Sequence, residues 1–132
     1  MTPREVFERA HGLVRAYDIG YVDCFADDGA LVFPFAPPGM PKEVHGRDAI
    51  RALLQPRYDA LRASGREILA YENLRIHDTL DPEVIVAEFD VDVVGTRRSF
   101  IHVLRVRDGQ IVEQRDYFDS LAMAERLRAQ AT

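Results

Sequence analysis

The chain has 132 residues, enough for one domain, 1–132, with a buried core. Apolar residues make up 47% and charged residues 30%, and the formal net charge of −5 argues against nucleic acid or an anionic membrane as the partner. One cysteine, Cys24, allows no internal disulfide, and neither a leader nor a membrane-length apolar run is visible, so the expectation is a soluble cytoplasmic protein.

Thr2-Pro3-Arg4-Glu5 reads as a capped helix start, and Val6, Phe7, Ala10, Leu13 and Val14 then form one apolar stripe. Tyr17-Asp18 breaks the run. A short second helix is expected from Ile19 to Ala26, then a turn at Asp27-Asp28-Gly29 and a strand from Ala30 to Phe35. The proline-rich stretch through Gly46 predicts an ordered loop or a lid over a pocket, unable to pair in a sheet. Arg47 to Ala63 is a second long helix, with Ile50, Leu53, Leu54, Tyr58 and Leu61 on one face and a kink or break expected at Pro56.

From Arg66 onward the period changes to two. Ile68, Ala70, Leu74 and Ile76 alternate in one strand; Ile85, Ala87, Phe89, Val91 and Val93 form the inner face of the next. Gly95-Thr96 is expected to turn into a hairpin that spans Thr96 to Phe118. Arg107-Asp108-Gly109 reads as its three-residue turn, closed by a glycine bulge. That register sets His102 opposite Gln114 and Phe100 opposite Asp116. His102 and Asp116 become diagonal neighbours roughly 7 Å apart at Cβ. Ser120 is expected to cap a last helix. The whole is an α+β domain, a curved antiparallel sheet wrapped around N-terminal helices with a cone-shaped pocket between them.

The inner face collects Phe89, Val91, Val93, Phe100, Leu104, Val106, Val112 and Phe118 around His102, Gln114, Asp116 and Arg98. A buried carboxylate is costly unless it is paired. One reading is a small-molecule site, with Asp116 as acid/base residue, His102 as its partner, and Gln114 and Arg98 as orienting groups. The other is a structural polar network in which Asp116 bonds the backbone or an arginine. Phe33, Tyr17 and Tyr58 are expected to line the same pocket. His11 reads as exposed or packed, and Asp90 and Asp92 as an outer charged face. The outer sheet face carries Val84, Val86, Ile101, Val103, Ile111 and Tyr117 beside Arg105 and Arg115, which predicts a homodimer through it. No metal-ligand spacing and no phosphate loop stand out, so neither metal nor cofactor is expected.

Several short motifs occur in a telling order: Phe25-Ala26-Asp27-Asp28-Gly29-Ala30, His45-Gly46-Arg47-Asp48-Ala49-Ile50, Asp108-Gly109-Gln110-Ile111 and Arg115-Asp116-Tyr117-Phe118-Asp119. Over nearly the whole chain this resembles the NTF2-like (cystatin-like) superfamily, and within it the SnoaL-like and ketosteroid-isomerase-like group. The resemblance implies a cone-shaped pocket, frequent homodimers, and activities from isomerase, cyclase and hydrolase to plain ligand binding. Asp116 matches the last-strand aspartate of SnoaL-like cyclases. The base aspartate of ketosteroid isomerase, just before a proline, is replaced here by Phe33 before Pro34, and its oxyanion-side acid falls on His102. Limonene-epoxide-hydrolase-like enzymes use Arg-x-Asp where this chain has Asp90-Val91-Asp92. The expected function is acid/base chemistry on a small apolar, cyclic, oxygenated molecule. The alternatives are a non-catalytic binding or dimerisation module, and third an epoxide hydrolase of that type.

Overall fold

The computed structural model describes residues 1–65, 70–93 and 96–131. Helix α1 spans Pro3–Arg15 and opens as its sequence demands. The Thr2 hydroxyl accepts from the Glu5 amide at 3.2 Å, and the Thr2 amide donates to Glu5 Oε1 at 3.0 Å. A 3-10 turn, Ile19–Cys24, follows in place of the expected helix and buries Tyr21 and Val22. Strand β1 is Phe25–Val32, β2 Glu43–His45, α2 Arg47–Ala63, β3 Tyr71–Asp78, β4 Val84–Val93, β5 Thr96–Arg107, β6 Gln110–Tyr117 and α3 Ser120–Ala131.

The sheet runs β2-β1-β6-β5-β4-β3, and β1 lies parallel to β6 while every other pair is antiparallel. The sheet is therefore mixed, not wholly antiparallel. The parallel pair arises because β1 and β6 are joined through the rest of the sheet rather than by a hairpin. Helix α1 lies against β4 and β5, and α2 against β1 and β2. The core fills the space between, with Phe7, Phe25, Ile50, Leu104 and Ile111 fully buried. No helix among the described residues is long and apolar enough to cross a membrane.

Several local expectations change. The proline-rich stretch does pair: its end, β2, adds to β1 through Ala30–His45 and Val32–Glu43, downstream of the prolines that would have lacked a donor. Helix α2 runs unbroken through Pro56, and its Leu53 is exposed. Asp119, not Ser120, caps α3, accepting from the amides of Leu121 and Ala122 at 3.0 and 3.2 Å. In β3, Leu74 is exposed, and Ile68 lies outside the described residues. Asn73 has φ 55°, and the β3–β4 register shifts between Glu72 and Arg75, which brings Tyr71 inward in place of Leu74. Gly95 of the expected Gly95-Thr96 turn lies outside the described residues, as do Val94 and the side chain of Val93, and Thr96 already pairs with Val93 as the start of β5.

Asp27-Asp28-Gly29 is not a free turn but a bulge inside β1. Phe25 pairs with Ile111 and Ala30 with Glu113, so residues 26–29 are accommodated opposite Val112 alone. A Cβ on Gly29 would stand 2.8 Å from the Ile111 carbonyl and 3.1 Å from that of Ala26, backbone atoms that cannot swing aside. Gly29→Ala should therefore cost about 1–3 kcal/mol, read as a lower urea midpoint. An unchanged midpoint would show that the bulge relaxes freely.

Candidate functional site

The β5–β6 hairpin carries the chemistry, and its register differs from the one expected. Asp108 and Gly109 both take positive φ, 53° and 74°, so the loop has two residues and Arg107 pairs with Gln110. The bulge moves to Val112, between the pairs Val106–Ile111 and Arg105–Glu113. Ile111 consequently turns inward and is buried, which removes it from the outer face; Val112 is half-buried. Beyond the bulge Leu104 pairs with Gln114, and His102 sits directly opposite Asp116 instead of diagonal to it.

Between α1, α2 and the sheet lies a cavity of about 220 Å³. Tyr17, Phe33, Tyr58, Phe89, Phe100, His102, Gln114 and Asp116 all line it. Phe118 does not; it is buried beside Phe33, ring centroids 6.0 Å apart. Arg98 also lies outside the lining, half-buried opposite Val91, and its Nε has no hydrogen-bond partner among the described residues. Tyr71, Phe89 and Phe100 stack across three strands, at 4.2 Å between the first two and 5.6 Å between the second two.

His102 Nε2 stands 3.1 Å from Asp116 Oδ1. The N–H points off that line, so the pair is a close polar contact and not an aligned hydrogen bond, and Oδ1 has no aligned donor among the described residues. Gln114 Oε1 is likewise buried without a partner among the described residues. Two buried acceptors beside one cavity thus lack donors among the described residues, a state that proteins seldom leave unanswered. Asp90 is turned outward, where Asn73 and Ser99 donate to its two oxygens at 2.9 and 2.7 Å.

Three phenols surround the carboxylate. Burial, with the charge of Asp116 adding, pushes Tyr58 up to about 12 and Tyr71 and Tyr21 well above the usual tyrosine range. All three therefore remain hydroxyl donors at neutral pH. His11 is also buried at the cavity. Burial first, then the proximity of His102 and Arg15, holds its imidazole well below the ordinary histidine range. The spacing in the sequence carried a signal for it: His11 lies four residues after Phe7 on the same helix face, and the two rings stack at 4.1 Å. Arg15, Arg57 and Arg126 line the cavity as well. No group of three or more His, Cys, Asp or Glu is placed to hold a metal ion among the described residues.

Residues 8–114 match the SnoaL-like domain family. This chain belongs to the SnoaL-like family. An uncharacterised PhzA/B-like protein of Pseudomonas aeruginosa is 32% identical, with 96% of this chain and 91% of that protein covered. Among solved structures, a Bacillus subtilis protein provisionally described as an isomerase has a TM-score of 0.72 at 27% identity, covering 93% of this chain and 90% of that one. TerC, co-crystallised with polyporic acid, has a TM-score of 0.65 at 20% identity over 93% and 95%, which speaks for the fold alone. An NTF2-like protein of Burkholderia pseudomallei has a TM-score of 0.68 at 21% identity over 95% of this chain and 96% of that one, so this SnoaL-like chain has the NTF2-like fold.

Proposed function

We propose that the SnoaL-like cavity performs acid/base chemistry, of isomerase, cyclase or hydrolase type, on a small, apolar, cyclic, oxygenated molecule. The observation that carries this reading is Asp116: a carboxylate set against His102 in a cavity walled mostly by aromatic and aliphatic side chains, with an oxygen that no described residue donates to. The Asp116 carboxylate drives removal of a proton from carbon next to a carbonyl. The hydroxyls of Tyr21 and Tyr58 stabilise the oxygen on which charge then develops. Gln114 orients a ligand hydroxyl through its unpartnered oxygen, and Phe33, Phe89 and Phe100 hold the ring. Arg98 acts on the charge balance from behind the lining rather than on the ligand. The provisional isomerase description of the Bacillus relative agrees with this direction. The outward placement of Asp90 gives no support to an epoxide-hydrolase arrangement.

Binding is tested with 2-tetralone, observed by NMR on the labelled protein. The expected result is a contact between the ligand and the ring of Phe89 or His102. Shifts confined to the surface would contradict the reading. Binding without any chemistry would instead favour a non-catalytic binding module of the same fold.

The sheet's outer face supports a homodimer in this reading. Ile101 is exposed there, beside half-buried Val86, Val103 and Tyr117. Sedimentation at micromolar concentration should give a dimer that Val103→Glu converts to monomer. A wild-type monomer would remove the idea.

A further inference from the structure

The chemistry above uses neither His11 nor Tyr71, yet both are joined to the acid/base pair. The Tyr71 hydroxyl is 2.6 Å from His11 Nδ1, and His11 Nε2 is 3.3 Å from His102 Nδ1. His102 Nε2 then faces Asp116 at 3.1 Å. The two imidazoles are 3% and 5% exposed, closed in by Phe7 stacked on His11 and by Phe89 edge-on to both.

The order of protons along this chain follows from the chemistry of its ends. A neutral imidazole has one donor nitrogen and one acceptor nitrogen. The carboxylate only accepts, so the His102 nitrogen beside it, Nε2, carries the hydrogen, although it points off the direct line, and Nδ1 is bare. His11 Nε2–H then donates to that nitrogen, and the bare Nδ1 of His11 accepts from the Tyr71 hydroxyl. The oxygen of Tyr71, whose own hydrogen is engaged, keeps lone pairs for the cavity it lines.

We infer that Tyr71 is a catalytic residue of this cavity, and that His11 and His102 form a proton path from its hydroxyl towards Asp116. The inference rests on the acid/base reading of the site. A substrate C–H or O–H proton passes to Tyr71 Oη while the tyrosine's own proton passes to His11 Nδ1. The Nε2 proton of His11 passes to His102 Nδ1. Three bonds to hydrogen break and three form. The electron pair stays on the substrate, which becomes an anion, and His102 becomes an imidazolium held against the Asp116 carboxylate. The reverse shift returns a proton through Tyr71 to the same or another atom of the anion and restores the starting order. A site of this kind suits proton relocation within one molecule, with no external acid or base.

Two measurements on the full chain test it. In protein labelled with 15N-histidine, long-range proton–nitrogen spectra report which ring nitrogens carry hydrogen. Both His11 and His102 should be protonated at Nε2 and bare at Nδ1, and Tyr71→Phe should move the His11 Nδ1 signal. His11 protonated at Nδ1 overturns the path. The second measurement is deuterium uptake from D2O into the carbons beside the carbonyl of 2-tetralone. Tyr71→Phe keeps the stacked ring and should slow uptake about 100-fold or more. If Asp116→Asn slows it and Tyr71→Phe does not, the role of Tyr71 falls while the acid/base reading stands. Wild-type protein that promotes no uptake overturns the acid/base reading and the role of Tyr71 together.

Discussion

Asp116→Asn should melt at or above the wild-type temperature while losing about 100-fold or more of its acid/base activity. The two halves of that result have separate causes. The side chain is 18% exposed, and its contact with His102 is off the N–H line, so no aligned hydrogen bond disappears with the charge. A largely buried charge without an aligned donor costs stability, and the amide keeps the shape without the charge. The amide neither takes up a proton nor offsets the charge of a protonated His102, so the chemistry stops. A clear fall in melting temperature would mean that Asp116 anchors the sheet end, and the binding-module reading would then lead.

Phe25→Ala should be the most damaging of the core truncations, at about 3–5 kcal/mol and a fall in melting temperature on the order of 10 °C. Phe25 is 0% exposed and begins β1 at its pairing with Ile111. Tyr21 packs edge-on against its ring at 5.4 Å. Its carbonyl accepts twice from the Arg47 guanidinium, at 3.0 and 2.7 Å, tying the start of α2 to the sheet. Phe100 shows the contrast. Read from the sequence as core, its loss would cost on the order of 3 kcal/mol. In the structure it is a half-buried wall of the cavity, and Phe100→Ala should cost clearly less than Phe25→Ala. Equal losses in thermal unfolding would show that the wall and the core are energetically one.

The sequence was most readable where one physical signal dominated. The capping box at Thr2 and the apolar spacing of α2 located both long helices. Strict alternation in β4 and β5 put Phe89, Val91, Phe100 and His102 on one face. A turn at Gly95-Thr96 would pair Val91 with Phe100; the structure instead pairs Phe89 with Phe100 and Val91 with Arg98, a slip that leaves the faces unchanged. Reading failed where a bulge decided the outcome. Alternation alone cannot see that Val112 or residues 26–29 are extra, because a bulge depends on the neighbouring strand. The left-handed Asn73 had the same effect, hiding Tyr71 behind the pattern of Leu74 and Ile76. The pair His102 and Asp116 survived the wrong register because beyond the bulge the error was two residues, and a two-residue slip keeps every side chain on its face. His11 was missed for another reason: its partners lie 60 and 91 residues away, and only the folded chain brings them together.

The central claim, that this cavity moves protons on carbon through Asp116, is tested most directly by one comparison. 2-Tetralone is incubated in D2O with wild-type protein and with Asp116→Asn, and NMR follows loss of the proton signals beside its carbonyl. The account predicts uptake above the buffer rate with wild type and a return to near that rate with Asp116→Asn, although both proteins are folded. Equal rates for the two proteins, at concentrations where the ketone demonstrably occupies the cavity, would contradict it.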